Sequence, residues 1–180
     1  MNMKTMNTPT CWTVHQSPLG PLTLCGGSRG LTALRFPGRG ERLDEADEAP
    51  DVFAEAVRQL DEYFAGRRQE FALALDLTGT PFQRSVWDRL QAIPYGATIT
   101  YTELAHAVGR PDRVRAAAAA VGRTPVPIVM PCHRVVAADG ALTGYLGGLQ
   151  RKQALLDLEH RGLTGIGPPP NWSTRQIALL

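Results

Sequence analysis

The chain has 180 residues, 43% of them hydrophobic and 20% charged, with 19 Lys and Arg against 17 Asp and Glu, enough to bury one core or two small ones. No apolar stretch is long enough for a membrane span and the opening MNMKTMNTPT has no signal-peptide core, so a soluble, cytoplasmic protein is expected. Three cysteines leave at least one unpaired, which favours a chemical use of cysteine over a disulfide framework.

Charge is uneven along the chain. Residues 1–78 carry 8 basic and 11 acidic groups, residues 79–165 carry 10 and 6, and 17 of the 19 basic residues are Arg. The planar guanidinium suits phosphates and base edges, so the C-terminal half is the candidate anion-binding half.

In chain order, Cys11 to Gln16, Leu22 to Cys25 and Leu31 to Phe36 read as strands of a small antiparallel sheet. Turns at Ser17-Pro18-Leu19-Gly20 and Gly26-Gly27-Ser28-Arg29-Gly30 join them. Pro37 to Pro50 reads as a loop. Phe53, Ala56, Val57, Leu60, Tyr63 and Phe64 recur at helical spacing, which predicts an amphipathic helix over Asp51 to Ala65, and Phe71 to Leu77 alternates like one more strand. Cys11, His15 and Cys25 match no zinc spacing and lack a fourth ligand, so no metal is expected. This half offers no site.

Gly79-Thr80-Pro81 marks a boundary between a domain at 1–78 and a second at 79–165, with a tail at 166–180 whose Pro168-Pro169-Pro170 should be extended. Thr80 is the expected N-cap and Pro81 the first helical residue of a helix whose apolar stripe is Phe82, Val86, Leu90 and Ile93. Thr100-Tyr101-Thr102-Glu103 is a capping box, predicting a helix over Tyr101 to Val108. After Gly109-Arg110-Pro111, Asp112 should cap a second helix over Arg113 to Val121. Two short helices joined by a Gly-containing turn are a helix-turn-helix signature. The second holds five consecutive alanines, Ala116 to Ala120. Spacing alone allows either a helix packed tightly in the core or a recognition helix with Arg115 reaching into a groove.

The informative stretch is Pro125-Val126-Pro127-Ile128-Val129-Met130-Pro131-Cys132-His133-Arg134-Val135-Val136. It shields a thiol in apolar surroundings while His and Arg beside it favour the thiolate. In an extended segment Cys132 and His133 would point to opposite faces, so a bridging water or a turn is needed for His133 to act as base. Gly140 to Leu149 lacks the Lys and Ser/Thr of a nucleotide P-loop; its glycines around Tyr145 suggest backbone that approaches something flat and bulky. Arg151 to His160 reads as a helix with Glu159 near its C-terminus, where a carboxylate opposes the dipole, so Glu159 needs a partner. His133 would complete a Cys-His-Glu relay.

Pro131-Cys132-His133-Arg134-Val135-Val136, the preceding Pro125-Val126-Pro127-Ile128, the following Thr143-Gly144-Tyr145-Leu146-Gly147-Gly148-Leu149, Tyr101 and the Arg115 helix together resemble the methylated-DNA–protein-cysteine methyltransferases, the O6-alkylguanine-DNA alkyltransferases. The resemblance spans about residues 80 to 162, and the Ser17-Pro18-Leu19-Gly20 hairpin resembles the family's N-terminal domain. It implies an α+β protein: a small antiparallel sheet with a helix, ribonuclease H-like, followed by a mostly helical helix-turn-helix domain that carries the active cysteine. The implied activity is stoichiometric transfer of the alkyl group from O6-alkylguanine, and O4-alkylthymine, in DNA to Cys132, with no cofactor. The implied partner is double-stranded DNA entered through the minor groove by a monomer, in the cytoplasm or nucleoid, or in a nucleus.

The same resemblance assigns roles. Cys132 is nucleophile and acceptor, His133 the base acting through water and polarised by Glu159, and Tyr101 a hydroxyl donor to the guanine. Arg115 fills the gap left by the flipped base, with Arg113, Ala116, Ala118 and Arg123 also on the DNA face. Thr124, Val135, Tyr145, Leu146 and Gly147 surround the base. Thr124 stands where the family usually has Asn, and Leu146 where it has a small residue, which puts acceptance of bulky substituents in question. The alternatives are a helix-turn-helix or damage-sensing protein that transfers nothing, though retained Cys132 argues against the non-transferring relatives, and a thiol hydrolase that turns over.

Overall fold

The computed structural model describes residues 11–38 and 47–165. The expected tail and part of the 37–50 loop lie outside these residues. Strands β1 (Cys11–Ser17), β2 (Gly20–Gly27) and β3 (Gly30–Arg35) form an antiparallel meander, and β4 (Asp47–Glu48) adds to β1 in parallel, giving the order β3-β2-β1-β4. The first turn is closed by Ser17, whose hydroxyl donates to Gly20 O at 2.6 Å and accepts from Leu19 N at 3.2 Å, the local bonding that makes Ser a turn residue.

Three expectations for this half need correction. The 37–50 stretch is not all loop, because it contains β4. The expected helix opens with a 3-10 turn at Pro50–Phe53, and α1 proper is Ala54–Phe64. Phe71 to Leu77 is no regular strand. It touches the sheet edge at one bridge, Leu31 with Leu75, through Leu31 N donating to Ala74 O (2.9 Å) and Asp76 N donating to Leu31 O (2.8 Å). Gly30 makes that approach possible: it sits at φ +129, and a Cβ there would lie 2.3 Å from Ala74 O.

The second half is helical. Thr80 and Gln83 form the N-terminal box of α2 (Pro81–Gln91), and Thr100 and Glu103 that of α3 (Tyr101–Ala107). Asp112 caps nothing. Pro111–Arg113 makes a 3-10 turn and α4 (Val114–Val121) follows without a side-chain cap, because Pro111 starts the turn and Asp112 instead faces Arg110 (3.6 Å) and Arg113 (3.8 Å). A two-stranded parallel pair joins β5 (Ile99–Thr100) to β6 (Val135–Val136), and α5 (Leu149–Thr164) is the last described element.

One hydrophobic core crosses the boundary near residue 79, with Leu22, Leu24, Leu34, Leu60 and Tyr63 from the first half and Val86, Trp87, Leu90, Ile99 and Leu104 from the second. Polar contacts cross it too: Leu34 N of β3 donates to Pro125 O, just upstream of Cys132. The sheet domain therefore directly braces the segment that carries Cys132. Among the described residues no helix is long and apolar enough to cross a membrane.

Candidate active site

Parallel pairing of β5 with β6, Ile99 opposite Val135 and Thr100 opposite Val136, assembles the site. Tyr101 opens α3 directly after β5, and Cys132 sits in a 3-10 turn, Cys132–Arg134, directly before β6. The segment leading into that turn is not extended. Met130 N donates to Val126 O (2.9 Å), Cys132 N to Met130 O (2.7 Å), and Ile128 is held at φ +77, a costly conformation for a β-branched residue. The opposite-face geometry of an extended strand thus does not apply, and a turn takes its place.

His133 is fully buried, and its Nε2 lies 2.8 Å from Glu159 Oε1. Glu159 is not at a helix end: α5 continues to Thr164, so its need for partners comes from burial rather than from the dipole. Among the described residues, four approach its two oxygens through five donor atoms. Oε1 takes His133 Nε2, Tyr63 OH (2.8 Å) and Arg134 Nη2 (2.8 Å); Oε2 takes Gly96 N (2.9 Å) and Arg134 Nε (2.9 Å). Arg134 Nη1 also donates to Ile93 O. Burial opposes the Glu159 charge, but His133 and Arg134 outweigh it and hold the carboxyl well below its usual range. Burial pulls His133 below its ordinary value against the pull of Glu159, so the imidazole is neutral. With Nε2–H given to the carboxylate, Nδ1 keeps a lone pair, and no group among the described residues bonds it. That is the configuration of a general base.

The thiol of Cys132 is 2% exposed, and burial pushes it up to about 12, opposed by Thr124 and by the charge of Lys152. At neutral pH it is a thiol that needs a base. Thr124, buried beside it, also donates to Val121 O at 2.8 Å, so this Thr ties α4 to the active segment. Lys152, fully buried, donates to Val135 O (2.6 Å) and Thr143 O (2.8 Å).

An open pocket of about 420 Å³ is lined by Tyr101, Ala118, Gly122, Thr143, Gly144, Tyr145 and Leu146. Tyr101 OH points at Thr143 O at a long 3.5 Å, and burial raises its pKa, so it stays a donor. Thr124, Val135 and Gly147 are buried and do not line this pocket. The flat body that Gly147 approaches is the ring of Phe36, with Tyr145 on the same side: a Cβ there would fall 2.9 Å from both. The alanine helix has one packed face and one exposed face. Ala117, Ala120 and Val121 are buried, and Trp87 Nε1 donates to Ala120 O (3.0 Å), while Arg113, Arg115, Ala116, Ala119 and Arg123 are exposed.

Reading the sequence missed Tyr63, Gly96 and Lys152, and it set Arg134 beside the thiol to favour the thiolate, whereas Arg134 bonds Glu159 and burial raises the thiol. Arg134 stood within the quoted motif, whereas Tyr63 looked like one more member of an apolar stripe. Cys11 and His15 are committed elsewhere: the Cys11 thiol donates to Gly26 O (3.2 Å), and His15 sits 3.1 Å from Asp61.

Residues 81–161 match the family model for the 6-O-methylguanine DNA methyltransferase DNA binding domain, and residues 10–77 that for the ribonuclease-like domain of the same family. Among curated relatives, the methylated-DNA–protein-cysteine methyltransferase of Mycobacterium leprae is 49% identical, covering 83% of this chain and 93% of its own. That of Methanosarcina barkeri is 46% identical, covering 83% and 97%. A crystal structure of Mycobacterium tuberculosis OGT in complex with DNA superimposes with a TM-score of 0.81 at 47% identity, covering 84% of this chain and 94% of that one. Two matched domains in their order along the chain, and relatives near half identity over almost their whole length, place this chain in the 6-O-methylguanine DNA methyltransferase family.

Proposed function

We propose that this protein repairs O6-alkylguanine in double-stranded DNA by moving the alkyl group onto its own Cys132. The observation that carries the reading is the buried relay, in which a neutral His133 with a free Nδ1 is held by an ionised Glu159 beside a buried thiol. The duplex is entered through its minor groove by the exposed face of α4, where Ala116 and Ala119 form a ridge low enough for a narrow groove. Arg115 takes the place of the flipped nucleotide and offsets part of the unstacking cost. The base enters the pocket between Tyr101, Tyr145 and Leu146.

In the chemical step His133, directly or through one water, takes the thiol proton. The sulfur pair attacks the alkyl carbon, the S–C bond forms, and the C–O6 bond breaks with its electron pair left on the guanine. The Tyr101 hydroxyl donates a hydrogen bond to the departing base, and the proton held on His133 balances the charge when it returns to the guanine. A thiolate is a poor leaving group from carbon, so the alkyl group stays on Cys132 and one protein molecule, acting as a monomer, serves one lesion.

Incubation with a duplex carrying O6-methylguanine, followed by intact-mass and peptide analysis, tests this. One methyl group per protein on Cys132, and none in Cys132→Ala, is expected. Binding without mass change would favour the damage-sensing alternative, and release of more than one equivalent of guanine per protein would refute single use.

A further inference from the structure

Glu159 Oε1 has more donors than an oxygen with two in-plane lone-pair sites accommodates comfortably. His133 Nε2, Arg134 Nη2 and Tyr63 OH each lie 2.8 Å from it. Two of these come from the active-site turn. The third comes from α1, 96 positions before Glu159 and in the other domain. We propose that Tyr63 is a positioning residue for alkyl transfer: by donating to the oxygen that also receives His133 Nε2–H, it makes the docked N-terminal domain set how strongly the relay holds the base. This rests on the repair reading above and adds a residue of the sheet domain to the relay.

The surroundings favour a dedicated donor. Tyr63 is fully buried, and its ring packs against Phe64, Phe71 and Tyr95 at centroid distances of 5.5, 5.3 and 6.1 Å. Its hydroxyl is therefore aimed by a fixed ring. Burial, and then the charge of Glu159, raise its pKa well above the ordinary phenol value, so it donates throughout the working pH range. The other groups acting on the relay are Arg134 in the same turn, Lys152 from α5 and Tyr95 after α2. Arg134 is pinned by Ile93 O, and Lys152 by two carbonyls. Tyr63 is the donor whose commitment depends on domain docking.

The consequence has a sign. A donor on Oε1 draws electron density from the atom His133 bonds to. It weakens the pull of Glu159 on the imidazole proton and helps keep His133 neutral before reaction. Tyr63→Phe keeps the ring and removes only that donor, so His133 should protonate more readily. The acid limb of the single-turnover rate should then move to higher pH by about 0.5 to 1 unit, with several-fold slower transfer on that limb. A purely structural role would scale the whole profile without moving the limb.

The experiment compares methyl uptake from an O6-methylguanine duplex by the full-length protein and Tyr63→Phe between pH 5 and 9 (roughly the window in which His titrates). In parallel, proton NMR of the unsubstituted protein should show a slowly exchanging Tyr63 hydroxyl proton with a through-space correlation to the Nε2 proton of His133. An unmoved limb in a folded variant overturns the proposal. If the variant does not fold, absence of the NMR correlation overturns it and its presence supports it. No methyl uptake by the unsubstituted protein would instead defeat the repair reading, and the NMR result would stand apart from that.

Discussion

Lys152 Nζ lies 2.6 Å from the carbonyl oxygen of Val135 and 2.8 Å from that of Thr143, so one buried ammonium ties β6, next to Cys132, to the loop that frames the pocket. Its charge also favours the Cys132 thiolate. Lys152→Met would leave two carbonyls without this donor and remove that charge. Methyl transfer in single turnover should slow by about tenfold or more, while affinity for undamaged duplex, which depends on exposed arginines, should hold. Unchanged transfer would show that Lys152 only fills space.

The same lysine makes a pH prediction. Burial lowers its pKa from 10.5 to about 8, partly opposed by Cys132. Between those two values the unfolded chain binds the proton more than the folded one does, so stability rises with pH across that window. Below about pH 8 the charged form carries a constant penalty. The component amounts to at most about 3 kcal/mol. Urea unfolding from pH 7 to 10.5 should show it in the unsubstituted protein and show a flatter dependence in Lys152→Met.

For Glu159 the sign is reversed. Its folded pKa is depressed, so the stability it contributes is present above the ordinary carboxylate value and is lost as pH falls towards the folded one. Glu159→Gln leaves the Arg134 guanidinium, 7% exposed, without its counter-charge. Removing one partner of a buried pair costs about 3 to 5 kcal/mol. Denaturant unfolding at pH 7 should show that loss together with severely reduced methyl uptake. A variant of undiminished stability would mean that solvent reaches Arg134.

What the sequence revealed and concealed follows from the range of each interaction. The capping boxes at Thr80 and Thr100 involve residues three apart and were legible; each is formed as written. Asp112 had the right residue type for a cap, but Pro111 starts a 3-10 turn and displaces the helix start to Val114. The alternation in Phe71 to Leu77 was real, yet a strand needs a partner edge, and β3 offers contact only around Leu31. The His133–Glu159 pairing was legible for a reason the structure replaces: the sequence put Glu159 at a helix C-terminus, whereas it lies inside α5 and needs partners because it is buried. Tyr63 was not legible, because a tyrosine on an apolar stripe reads as packing until its hydroxyl's distant acceptor is known.

Arg115 is exposed in the first turn of α4, on the face opposite the buried Ala117 and Ala120. If it replaces the extruded nucleotide in the stack, its contribution appears only when a base must be flipped. Arg115→Ala should slow repair of duplex O6-methylguanine by about 10- to 100-fold while changing reaction with the free O6-alkylguanine base much less. Equal losses on both substrates would remove Arg115 from that role.

Leu146 lines the pocket together with Tyr101, Ala118 and Tyr145, and is half-buried there. It stands where the resembling family commonly has Ser or Ala, so its side chain takes volume next to the space an O6 substituent would occupy. A methyl group needs little of that volume, whereas a benzyl group needs most of it. Overpacking of this kind costs on the order of 1 to 3 kcal/mol, or roughly tenfold to a hundredfold in rate. The protein is therefore expected to react readily with O6-methylguanine in DNA and poorly with O6-benzylguanine, and Leu146→Ser should recover benzyl transfer by about that factor with little change for methyl. Single-turnover rates for both substrates with both proteins decide the matter. Equal benzyl rates would mean that the side chain turns aside when the base enters and that pocket size is set elsewhere, by Tyr145 or by the position of α4.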